Sequence, residues 1–266
     1  MTLTDALLSL SLPRLVALLL ALARVSGLLL LAPILSSRVA PVRVRAALAF
    51  FLAVAMLPVL PAEAASTFAI GAGPLGLCVG VAREITIGVA IGLVAQFIMG
   101  GAQMAGQLSG IQMGVGLANL IDPQTQEHIT SMAQWQNLMA LLVFLAVDGH
   151  HLLIRALAES FTLLPIGGGF PAVEGLGKVL ALAGGIFVIA LKIAAPVLVL
   201  LLVVNGVMGV LSKLIPQLNV FIVGFPLNVA AGLFVLGASQ PVTIRVLASA
   251  FAEIPSALAD IMRALH

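Results

Sequence analysis

The run DGHH at residues 148–151 holds the densest set of metal-capable side chains in the sequence. Zinc-binding helices place two histidines at i and i+4, so that both rings meet the ion from one face. His150 and His151 are adjacent, face different ways on a helix, and have no evident third ligand. They read as two histidines at a loop end, and no metal or cofactor is expected. Phosphate and nucleophile chemistry is also missing. GGAQMAG and LPIGGGF are glycine-rich, but neither follows a strand nor carries the lysine of a phosphate cradle. There is no GxSxG and no pair of intramembrane aspartates, so no enzyme is expected.

Charges inside apolar runs are the next candidates. Arg24, Arg83, Glu84 and Lys192 each interrupt such a run. A charge at mid-bilayer costs on the order of 3 kcal/mol on insertion scales, so these groups are expected to be buried in protein or to face water. Adjacent helical residues point about 100° apart, so Arg83 and Glu84 are not expected to pair with each other. Each needs an outside partner, either Arg24 for Glu84 or a residue of another subunit.

A third pattern is steric. Gly88 and Gly92 form a GxxxG, and Gly106, Gly110 and Gly114 recur at the same spacing. Small residues four apart share a helix face and let another backbone approach closely. Gln96, Gln103 and Gln107 share much of that face. The stripe reads as a tightly packed helix pair, a pore lining, or both.

The elements that must position these residues are apolar throughout. The chain has 266 residues, 62% hydrophobic and only 8% charged, against about 25% charged in an ordinary soluble domain. Such a chain must face lipid, apolar protein, or both. Its net charge of +2 gives no reason to expect nucleic acid. The single cysteine, Cys78, excludes an internal disulfide. Asp5 and the length of the first apolar run argue against a cleaved signal peptide. Trp135 is the only tryptophan and tyrosine is absent, which is sparse for the aromatic belts of multi-span proteins.

Apolar runs fall at about 15–35, 46–60, 75–101, 131–147, 179–204 and 218–238, a naive count of six spans. Pro196 and Pro226 break the last two. Arg38, Arg43 and Arg45 cluster between the first two runs, which would place that loop in the cytoplasm. Near the C-terminus, Leu247, Phe251, Ile254, Leu258, Ile261 and Leu265 alternate at spacings of four and three, with Ser249, Glu253, Ser256, Asp260 and Arg263 opposite. This predicts an amphipathic helix over about 243–265, kinked at Pro255. It would lie on a surface or dock on a partner without spanning. No repeat or linker divides the chain, so residues 1–266 read as one domain.

Several stretches, in order and spacing, resemble the flagellar biosynthetic protein FliR family, which includes the T-type component of virulence export gates. They are ARVSGLLLLAPILSSRVAPVRVRAALA, REITIGVAIGLVAQ, AGQLSGIQMGVGLANLIDPQ, LLVFLAVDGHHLLIRALAESFTLLPIG and KLIPQLNVFIVGFPLNVAAG. The likeness covers nearly the whole chain. It implies an all-α fold of hydrophobic, tilted and kinked helical hairpins in a membrane-associated export gate. The gate would be built with P- and Q-type subunits and approached by a B-type switch subunit. It would pass unfolded proteins across the bacterial inner membrane at the base of a flagellum or injectisome, raised toward the periplasm. The resemblance also implies a pore plug over Gly114, Val115, Gly116, Leu117, Ala118, Asn119, Leu120, Ile121, Asp122 and Pro123. Family plugs often carry Phe where this chain has Leu and Asn. The rival reading is a polytopic small-molecule transporter or channel. Broken helices suit it, but no matched pair of them occupies two halves of the sequence.

Overall fold

The computed structural model describes residues 3–33, 41–60, 73–115, 130–168, 173–215 and 219–265. These residues form α-helices and a 3-10 turn, with no strand among them. The helices are α1 (Leu3–Leu31), α2 (Val42–Met56), α3 (Gly73–Met113), α4 (Ser131–Ala146), α5 (Gly149–Leu163), α6 (Val173–Leu214), α7 (Val220–Ala238), α8 (Gln240–Ala252) and α9 (Ile254–Leu265). A 3-10 turn, Leu57–Val59, follows α2. The fold is all-α.

Each apolar run lies on a helix, but run length and helix length differ. α3 has 41 residues and α6 has 42. At about 1.5 Å per residue each is roughly 60 Å long, about twice the hydrocarbon thickness of a bilayer. α6 runs through Pro196 and α7 through Pro226. Among the described residues four segments can cross a membrane by length and composition: Arg14–Leu31, Gly73–Met113, Gly177–Leu214 and Gln240–Leu265. The number is five if Ser131–Ala146 and Gly149–Leu163 count together as a broken span. Among the described residues the naive count of six spans is therefore not reached. Arg43 and Arg45 lie in the first turn of α2 and not in a loop, while Arg38 lies outside the described residues.

The chain's contacts divide it into two compact units, one of residues 1–96, 148–183 and 253–266, the other of 97–147 and 184–252. In the first, α1 and α2 pack together and α9 packs on α5. The core is rich in small side chains: Ala17, Ala21 and Ala53 are buried beside Leu20, Val25 and Leu28. In the second, α8 packs on α4. The Phe144 and Phe251 rings meet edge to face with centroids 5.3 Å apart. Met113, Val197, Leu201 and Leu236 form a further buried cluster there.

The C-terminal stripe corrects one expectation. Leu247, Phe251, Ile254, Leu258, Ile261 and Leu265 are all buried within the chain, and the five polar residues opposite them are exposed. The apolar face is thus covered by the chain's own helices, because α8 and α9 have α4 and α5 to pack against. The helix breaks at Glu253. Pro255 sits in the first turn of α9, where its missing N–H costs no helical hydrogen bond. With Gln240–Leu265 among the segments apolar enough to cross a membrane, its polar stripe alone does not exclude a span.

Candidate functional site

Arg24 of α1 is fully buried, and every arm of its guanidinium is engaged. Nε donates to Glu84 Oε2 at 2.5 Å. Nη1 donates to the Ser160 carbonyl at 2.8 Å and to Ser160 Oγ at 3.0 Å. Nη2 donates to the Leu164 carbonyl at 2.8 Å. The Phe161 ring covers the group, with Cζ 4.2 Å from the ring centroid, a favourable cation–π placement. Arg83 Nη1 donates to Glu84 Oε1 at 2.6 Å and to the Pro165 carbonyl at 3.1 Å.

The carbonyl partners belong to the last turn of α5 and the turn that follows it. Pro165 stops the helix, and Gly167 takes the left-handed φ of 82° that the LPIG turn requires. The carbonyls of Ser160, Leu164 and Pro165 are thereby presented to two arginines. Two cations against one carboxylate leave one positive charge in excess. The C-terminal end of α5 carries roughly half a negative charge, so the helix end supplies part of what Glu84 alone cannot.

This geometry overturns one expectation and meets another. Arg83 and Glu84 do pair, although their Cα–Cβ bonds diverge, because the long arginine arm reaches round to the oxygen that Arg24 leaves free. Of the two partners considered for Glu84, Arg24 is the one found, within the chain. Of the two surroundings expected for Lys192, burial in this chain is not found: it is exposed on α6, flanked by the exposed Leu191. The sequence did not disclose Ser160, Phe161 or the carbonyls of Leu164 and Pro165. Only the proline after a helix end in LLPIG hinted at a presented set of acceptors.

The glycine stripe of α3 meets different helices along its length. A Cβ on Gly88 would collide with the Arg24 carbonyl oxygen and stand 2.9 Å from the Leu28 nitrogen. One on Gly92 would stand 3.0 Å from the Leu28 oxygen. The contact is reciprocal, since a Cβ on Gly27 of α1 would lie 2.5 Å from the Ile85 oxygen. Gly27 has no GxxxG partner and the stripe did not reveal it. In the other unit, a Cβ on Gly106 would overlap the start of α4, 2.6 Å from Ala133 Cα, and one on Gly110 would lie 2.9 Å from Thr130 Oγ1. Thr130 caps α4, accepting from the Ala133 N–H at 3.2 Å. It is itself held by Gln107 Oε1, which accepts from its N–H and its hydroxyl, each at 3.2 Å.

Of the plug residues, Gly114 and Val115 are described. Gly114 ends α3 with φ 83° and donates its N–H to the Ile111 carbonyl at 3.0 Å. Val115 packs on the Met113 cluster. Gly116, Leu117, Ala118, Asn119, Leu120, Ile121, Asp122 and Pro123 lie outside the described residues. In the DGHH run, ligand atoms from Asp148, His150 and His151 fall within 4.8 Å of one another. The side chains therefore converge where adjacency in sequence suggested divergence, and Asp148 is the third ligand type that the histidine spacing did not count.

Long apolar helices, packed through glycines and tied by a buried charge network, define an all-α membrane protein. Residues 15–254 match the bacterial export proteins, family 1, and the chain belongs to that family. It is 38% identical over 245 residues to the flagellar biosynthetic protein FliR of Escherichia coli K12, covering 92% of each chain. It is 34% identical over 243 residues to the FliR of Pectobacterium carotovorum, covering 91% of each. With the FliR of Aquifex aeolicus it shares 30% identity over 245 residues, 90% of this chain and 91% of that one.

Proposed function

We propose that this chain is the T-type subunit of a flagellar type III export gate in the bacterial inner membrane. With P- and Q-type subunits it would form the closed pore through which unfolded proteins leave the cytoplasm, with a B-type switch subunit alongside. Its role is structural and gating, without catalysis. The observation that carries this reading is the 38% identity to a flagellar biosynthetic protein over 92% of both chains.

Two features of the chain support it. α6 leaves Leu191, Val199, Leu202 and Val203 exposed, and α7 leaves Ile222, Phe225 and Phe234 exposed. Apolar faces this extensive need lipid or other subunits to cover them. Helices roughly twice as long as a bilayer is thick also suit an assembly raised toward the periplasm.

The test is recovery from native membranes. A tagged copy should bring P- and Q-type subunits with it, and the same chain expressed without them should aggregate or be degraded. A monodisperse, long-lived monomer that recovers no other export subunit would overturn the reading.

A further inference from the structure

We propose that Asp148, His150 and His151 form a binding site for a divalent first-row transition ion, Zn2+ above all, at the start of α5. The site stands apart from the export role and does not depend on it.

Four observations carry the assignment. One ligand atom from each residue lies within 4.8 Å of the others. His151 Nδ1 is 3.4 Å from Asp148 Oδ1. That is long for a hydrogen bond, but a tetrahedron with ligands about 2.1 Å from zinc has edges of roughly 3.4 Å. The two imidazoles are 4.1 Å apart between centroids. His150 Nδ1 is buried without a hydrogen-bond partner, so no hydrogen bond of that nitrogen holds the ring against turning toward an ion.

The backbone explains how residues two and three apart converge. Asp148 has φ 54°, the one non-glycine positive φ among the described residues. It stands before the helix in the left-handed region, so its carboxylate meets the first turn of α5 instead of continuing the helical spiral. Non-glycine residues held in that region cluster at sites where the strain serves a purpose.

Two imidazoles and a carboxylate are a borderline set that suits zinc, with cobalt as its spectroscopic stand-in. The Asp148 and His151 side chains are 74% and 70% exposed, which leaves water free to complete four-coordination. The positive end of α5 opposes a cation there, and the Asp148 carboxylate offsets it. Arg155, one turn along, is engaged by Glu159 at 3.0 Å. A bound ion would fasten the first turn of α5 to the residue before it.

The test uses the full chain, purified from membranes with its accompanying subunits through a tag free of histidine, stripped with chelator and titrated with CoCl2, then ZnCl2. Four-coordinate cobalt gives a strong visible absorption that zinc displaces. One ion per chain is expected, weakened at least tenfold in His151→Ala and in Asp148→Gly. The glycine keeps the left-handed backbone and removes only the carboxylate, so its folding is secure. Cobalt absorption that is absent from the parent, or unchanged in Asp148→Gly and His151→Ala, would overturn the site.

Discussion

The guanidinium of Arg24 and the carboxylate of Glu84 meet at 2.5 Å with both side chains shut off from solvent. Sixty positions separate them in sequence, and their pairing ties α1 to α3. Glu84 also receives Arg83 at 2.6 Å, so one carboxylate holds two cations.

Glu84→Gln should therefore be among the most damaging conservative changes. It leaves two buried guanidinium groups without a counter-charge, a loss of about 3–5 kcal/mol by analogy with broken buried pairs. Heating the detergent-solubilised complex and following soluble, monodisperse protein should show a markedly lower midpoint. Glu84→Asp, which keeps the charge on a shorter arm, should fall between. A midpoint for Glu84→Gln equal to the parent's would mean that the cluster contributes nothing to stability.

The glycines make a sharper comparison because they differ in surroundings. Gly88→Leu and Gly106→Leu drive a side chain into a facing backbone, and overpacking of this kind costs about 1–3 kcal/mol or more. Gly100 has nothing within 4 Å of a Cβ. Gly100→Ala should be tolerated and gain up to about 1 kcal/mol of helix propensity. The yield of assembled protein is the readout, and equal yields for all three variants would refute close helix approach along α3.

Phe251 tests the C-terminal helices. The ring is fully buried against Phe144, so its loss should disrupt the packing of α8 on α4 instead of merely loosening an external contact. Phe251→Ala should cost about 3–5 kcal/mol. Ser249→Asp, on the exposed face, should be silent in the same thermal assay. The reverse order of effects would show that this face is covered by something other than the chain itself.

What the sequence disclosed depended on how local the signal was. Apolar runs and the period of residues 247–265 are local, and both appear as helices with the expected faces. Which side of a face is covered by the chain itself is not local, so Phe251 looked like a docking residue when it is core. In the Arg24 cluster the pairing with Glu84 was among the partners the sequence allowed, but the other acceptors are main-chain carbonyls at the end of α5 and in the turn after it, and a carbonyl has no identity in a sequence. Adjacent residues misled twice. Divergent Cβ directions decide little for an arginine with a long arm, or for histidines preceded by a left-handed aspartate.

The last prediction concerns residues 114–123, whose proposed role is a retractable seal. Leu117, Leu120 and Ile121 are apolar enough to dewet a narrow pore, and a dewetted constriction blocks ions without a rigid door. Pro123 disfavours helix at Asp122 and so closes the segment. The described end of α3 is consistent with a hinge, since Gly114 already leaves the helix in the left-handed region. A seal and a plain interhelical turn differ in what deletion does. Removing Gly116 to Ile121 should leave recovery of the complex intact and make cells that overproduce the gate leak ions and small solutes. A structural turn would instead lose the complex without a leak. Conductance or solute-sensitivity measurements, with complex recovery followed in parallel, separate the two, and intact complexes that stay tight would sink the seal.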